Sequence, residues 1–146
     1  MNLLDPTWDA EVDAGGSRLR AVRLAQHAGA RRLVANLYEL EPGALVSPLH
    51  FHHANEELLF VLSGTPTLRT GREHVRTLEP GEVVAFAVGP AGTHQILNRS
   101  EERARVLICA TNDLPEVAAQ VEHEMLAVIT AEGLRLVPAS APVAAA

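Results

Sequence analysis

The chain has 146 residues, 47% of them hydrophobic, with 12 basic and 18 acidic side chains and a formal charge of -6. That length suits one domain with a substantial core, while scattered basic residues and only five aromatic ones (Trp8, Tyr38, Phe51, Phe60, Phe86) exclude a nucleic-acid partner, offering neither a basic stripe nor a stacking platform. The opening MNLLDPTWDAEVDAGG lacks the basic start and long apolar run of a secretory signal, and no stretch reaches the roughly 18 apolar residues that span a bilayer, so a cytoplasmic protein with no membrane partner is expected.

Taken in chain order, short β-prone runs separated by Gly and Pro are predicted at 18–24, 31–40, 57–63, 67–70, 73–78, 82–87, 94–98 and 103–110. Their length and close spacing predict an all-β sandwich or barrel. Gly71 divides the runs at 67–70 and 73–78 as a hairpin turn would. The tetrapeptide LEPG occurs at 40–43 and again at 78–81, with Pro and Gly suited to the centre of a type II turn. Each copy leads through apolar residues to a histidine cluster, which suggests a pseudo-repeated β topology. The lone Cys109, in VLICA, precludes an internal disulfide and reads as core packing rather than a reactive thiol. Beyond the strands, Leu114, Val117, Val121, Met125 and Val128 recur at intervals of three and four, which predicts a short C-terminal helix over 114–128, packed outside the sheets. Residues 1–138 form the expected single domain, and 139–146 a frayed tail of small residues and Pro.

The chemistry concentrates at HFHHANEELLFVLSG, residues 50–64. Side chains alternate along a strand, so His50 and His52 share one face and can bind one ion. With Glu57 opening the next run, Leu59 and Val61 share its side, which sets a carboxylate at the wall of an apolar cavity. Unpaired burial of such groups is expensive, and a metal ion resolves it. His94, after the loop GPAG, offers a fourth donor. His53 faces away from His52 and reads as surface or support, as does Gln95. His27, His74 and His123 sit apart in polar surroundings and read as ordinary surface residues. Asn98 reads as structural, satisfying backbone groups where a strand enters a turn, and Gly64, Gly81 and Gly92 as turn glycines.

His50-x-His52, then Glu57 and Gly64, resembles the first conserved motif of the cupin superfamily, and Gly81 with Pro90-x-Gly92-x-His94-x3-Asn98 is similar to the second. The motif region spans 43–98. The intervals Gly43 to His50, Gly81 to Pro90 and Gly92 to His94 depart from the usual pattern, all within turns. The resemblance implies a double-stranded β-helix jelly roll, commonly a homodimer, with a divalent metal held by His50, His52, Glu57 and His94. Three imidazoles and one carboxylate suit Mn, Fe, Co, Ni, Cu or Zn, and leave coordination positions for water and substrate. Two functions remain open on the sequence. One is a metal-dependent oxygenase, isomerase or lyase acting on a small organic metabolite, its catalytic residues beyond the ligands unassigned, with Tyr38 and Arg32 the notable polar candidates. The other is a non-catalytic small-ligand-binding or sensing protein in which the metal is structural, with a metal-free scaffold a weaker third.

Overall fold

A computed structural model describes residues 1–14 and 17–140. Six strands form the first sheet, in the order β1 (Ala10–Ala14), β2 (Ser17–Arg23), β3 (Leu33–Leu40), β10 (Ala104–Thr111), β5 (Glu57–Ser63) and β8 (Val83–Phe86), every neighbouring pair antiparallel. A second layer combines β13 (Gly133–Pro138), β12 (Met125–Thr130), β11 (Glu116–Gln120) and β4 (His50–His52) with β9 (Gln95–Leu97), β6 (Thr67–Thr70) and β7 (His74–Thr77). Isolated bridges, His50 to His94 and Leu45 to Leu97, join the two groups. The result is a jelly-roll barrel of two facing antiparallel layers. No helix among the described residues is long and apolar enough to cross a membrane.

Alternation explains the filling. Leu59 and Val61 of β5 and Val106 and Ile108 of β10 point inward, meeting Leu68, Leu78, Phe86 and Ile96 in one buried cluster. Each such side chain contributes roughly 1.5–3 kcal/mol by leaving water. The outward positions of β5 carry Leu58, Phe60 and Leu62, of which Leu58 and Leu62 are exposed.

The LEPG reversals behave as their composition predicts. Ala44 N–H donates to the Glu41 carbonyl (3.0 Å) and Glu82 N–H to the Glu79 carbonyl (3.1 Å), with Gly43 and Gly81 at φ of 85° and 91°. Asn98 is fully buried and structural: its amide donates to the carbonyls of Leu40 and Glu102, and its side-chain oxygen accepts from Ser100. Gly64, at φ 71°, lies so close to the Arg103 carbonyl and Ala104 that a side chain there would collide.

The helix expected over 114–128 is absent. In its place β11 and β12 form an antiparallel hairpin, turning at 121–124, and β13 extends the layer. The three-and-four spacing of apolar residues was outweighed by strand pairing, which buries Glu116 and Ala118 on one face. The other elements beyond those predicted are β1, β13, the four-residue helix α1 (Leu24–His27) and a 3-10 turn at Pro90–Gly92. Of the expected tail, 139 and 140 lie in a turn and 141–146 lie outside the described residues. Cys109 is half-buried on the outer side of β10, and burial pushes its thiol above the ordinary value.

Candidate metal centre

Three local devices bring the four residues to the site. His50 and His52 project from one face of β4, whose partner strand β11 aligns Ala118 with His52 and Gln120 with His50. His94 follows the Pro90–Gly92 turn and bridges His50 directly: His50 N–H donates to the His94 carbonyl (3.1 Å) and His94 N–H to that of His50 (2.9 Å). Gly92 admits this turn because a side chain there would strike the Ala87 carbonyl. Glu57 comes from the opposite sheet at the start of β5, on the inward face it shares with Leu59 and Val61. His94 is buried, and His50, His52 and Glu57 are half-buried.

Hydrogen bonds on the far side of the His50 and His94 rings fix which nitrogen carries the proton. His50 Nδ1 donates to the Pro48 carbonyl (2.8 Å) and His94 Nδ1 to the Gly92 carbonyl (2.8 Å); a carbonyl only accepts, so both Nε2 atoms are free to present lone pairs inward. Burial, then the neighbouring His94, lowers His50 to about 4, keeping it neutral at physiological pH. Burial works against the Glu57 charge, but contact with His94 and the nearby imidazoles hold its carboxyl below the ordinary range. The His94 ring stacks on Phe86, 3.7 Å between centroids and 9° from parallel, which sets its plane.

The donor separations fit one ion. His50 Nε2 lies 3.1 Å from His52 Nε2, His94 Nε2 lies 3.0 Å from Glu57 Oε2, and His52 Nε2 lies 3.5 Å from Glu57 Oε1. Donors about 2.1 Å from a shared metal on neighbouring octahedral positions stand about 3 Å apart. His50, His52 and Glu57 each offer one atom within 4.8 Å of the others. His94 lies outside that group of three and approaches it through Glu57, its ring 6.4 Å from that of His52. Glu57 Oε2 is buried and meets no hydrogen-bond partner among the described residues, despite the nearness of His94. Imidazole nitrogens and a carboxylate oxygen brought this close fit a divalent transition ion.

Behind these four residues sits a layer that the sequence reading missed. Glu116, only 2% exposed, accepts from the N–H groups of His53 (3.0 Å) and Ala54 (3.3 Å) and from the Asn55 amide. Its Oε1 lies 3.8 Å from His52 Nδ1, a buried nitrogen with no hydrogen-bond partner among the described residues. Asn55 is itself tied to Thr111 and to the backbone of Asp113. Ser47 Oγ lies 3.1 Å from His50 Nδ1, and Gln95 donates to the Ser47 carbonyl, the supporting role expected of it. His53 is exposed, as expected. The helix expected over 114–128 concealed Glu116, because only a strand aims it at β4.

These groups open on a cavity of about 450 Å³ between the two layers. Tyr38 lines it, as does Asn36, whose amide donates to the Tyr38 hydroxyl (3.3 Å). Burial, with a smaller contribution from the Glu57 charge, pushes the Tyr38 phenol above its ordinary value, so it remains a proton donor. Arg32, the other polar candidate, is exposed and does not line the cavity. His27 instead meets Asp9 at the surface (2.6 Å).

Comparison with known proteins agrees with this architecture. The family model for the cupin domain matches residues 36–110. A sugar phosphate isomerase of the cupin superfamily from Silicibacter pomeroyi is 28% identical, with a TM-score of 0.79 over 87% of this chain and 81% of that one. A protein of Acidithiobacillus ferrooxidans proposed to be a sugar phosphate isomerase is 26% identical, with a TM-score of 0.76 over 88% and 82%. The polyketide cyclase RemF of Streptomyces resistomycificus is 25% identical, with a TM-score of 0.58 over 72% and 74%. No curated protein matches the chain by sequence.

Proposed function

The chain belongs to the cupin domain family, and from that premise we propose that it is a metal-dependent enzyme whose ligands are His50, His52, Glu57 and His94. The reading covers a single domain over residues 1–138, acting on a small organic metabolite by isomerase, lyase or oxygenase chemistry. The observation that carries it is the convergence of buried lone pairs, with Glu57 Oε2 lacking a hydrogen-bond partner beside three imidazoles. Relatives described as an isomerase and a cyclase support enzymatic use of the fold.

When bound, a divalent ion at this site supplies Lewis acidity toward a carbonyl or enolate oxygen and acidifies a bound water. The chain's own groups do the rest. The Pro48 and Gly92 carbonyls hold the His50 and His94 rings with Nε2 inward, so these two donors are oriented before loading. Apolar walls exclude bulk water. Tyr38, kept protonated by burial, donates a hydrogen bond or a proton to an oxygen of the bound molecule.

The test is elemental analysis of tag-free protein beside the His50→Ala variant. Stoichiometric metal in the wild type, lost in the variant, is the expected result; equal metal in both overturns the ligand set. A second reading, a non-catalytic ligand binder with a structural metal, is favoured by one observation: Asn55, Thr111 and Glu116, which line the cavity, are engaged in structural hydrogen bonds. Ligand-induced melting shifts without turnover across a metabolite panel would select it. We also infer a homodimer, supported by the apolar outer face of β5 and β8.

A further inference from the structure

All twelve basic residues of the chain are arginines, and none lines the cavity. Several are engaged elsewhere: Arg20, Arg103 and Arg105 on Glu39, Arg69 on Glu122, and Arg76 on Glu82. The two charged residues that do line it besides the histidines are Glu57 and Glu116, both acidic. A divalent ion at the centre would bring those two carboxylates and itself to a sum near zero, leaving nothing to balance a further anion. Stripping water from a phosphate costs several kcal/mol per charge, and sites that accept it normally offer Arg, Lys or a helix N-terminus. No such group meets this cavity among the described residues.

The remaining surface describes what does fit. Val34, Ile108, Ala110, Ala127, Ile129 and Leu134 form an apolar wall from β3, β10, β12 and β13. Tyr38 and Gln120 place a hydroxyl and an amide within it. Exposed lining residues mark the mouth at Thr111, Asn112, Leu114 and Leu134. We propose that this cavity selects an uncharged hydroxyketone or related carbonyl compound with an apolar body, and rejects phosphate esters. The proposal rests on the cavity being the substrate site of the enzyme read above. It separates this chain in substrate class from the sugar phosphate isomerase it resembles.

Calorimetry and thermal melting of the full chain test it with two probes, neutral 2-hydroxyacetophenone and dianionic fructose 6-phosphate. The neutral probe binds at least about tenfold more tightly, and Tyr38→Phe weakens it by about five- to tenfold through loss of one hydrogen bond. Leu134→Arg, at an exposed position of the mouth that tolerates charge, gains affinity for fructose 6-phosphate. Equal or tighter phosphate binding by the wild type overturns the proposal, as does failure of the neutral probe to bind. Metal content measured on the same samples keeps the two readings apart. Stoichiometric metal with a preference for phosphate overturns only the substrate class; a preference for the neutral probe without metal overturns only the metal centre.

Discussion

Glu116 lines the cavity and also stands behind His52. Its carboxylate gathers the N–H groups of His53 and Ala54, fixing the chain just after β4, and lies within 3.8 Å of the otherwise unpartnered His52 Nδ1. A metal-bound histidine typically relies on such a partner to orient its ring and raise its basicity. Glu116→Gln is therefore expected to weaken metal affinity by about 10- to 100-fold, measured by chelator competition. Lower melting of the metal-free protein with unchanged affinity would mean that Glu116 merely stabilises the fold. Glu39 shows the opposite use of a buried acid. It is 2% exposed and bound by Arg20 and Arg105, with Trp8 lying over both guanidinium groups. Burial alone would raise its carboxyl, but the arginine hydrogen bonds and charges hold it below the ordinary range. A carboxylate depressed in the folded state stabilises the protein above its unfolded value of about 4.3 and loses that contribution as pH falls through the lower folded one. Glu39→Gln should cost about 2–3 kcal/mol at pH 7, below the roughly 3–5 kcal/mol of breaking a fully buried pair because the arginines reach water. Below about pH 4.5 its urea-unfolding stability should fall less steeply than that of the wild type; parallel slopes would sink the assignment. His50 and His52 were legible because alternation puts both on one face, and Glu57 through its spacing to Gly64 in the motif the segment resembles. Glu116 and Asn55 were not, since their roles depend on which strand pairs with β4.

At the scale of elements, punctuation carried more information than periodicity. The strands bounded by Gly or Pro, such as β6 and β8, fall close to their predicted limits, and both LEPG segments make the reversals their dihedral preferences require. Residues 114–128 mislead because Val117, Val121, Met125 and Val128 satisfy a helical stripe while Glu116, Ala118 and Gln120 satisfy strand alternation equally well. Local sequence cannot choose between those periods; the edge of β4, with its unpaired backbone groups, does. Glu124 gives the hairpin a signature that a helix would lack, a φ of 50° in the turn between β11 and β12. Holding a non-glycine residue there costs about 1 kcal/mol. Glu124→Gly is thus expected to leave stability unchanged or raise it by about 0.5 kcal/mol, whereas in a helix it would lower it by nearly 1. Chemical denaturation reads the sign directly, and clear destabilisation would argue against the hairpin.

Across the whole molecule, the barrel has one apolar face too many. Its interior is closed by the two layers, yet β5 and β8 turn Leu58, Leu62 and Val83 outward at 41%, 37% and 56% exposure. Register puts Leu58 opposite Ala85 and Cys109, and Phe60 opposite Val83 and Leu107, so these residues form a continuous uncharged patch. A second copy of the chain suits such a surface, since it offers the same patch and satisfies two-fold self-complementarity. Net charge opposes that pairing: two copies at -6 each repel through solvent, and only salt relieves the repulsion. Sedimentation should therefore find a dimer that tightens as ionic strength rises, the reverse of an association held by ion pairs. Val83→Glu places like charges opposite each other at the centre of the patch and should yield monomer, with the metal centre on the inner side of β5 intact and its metal content unchanged. A dimer that survives that substitution, or one that dissociates in salt, would move the interface to another surface.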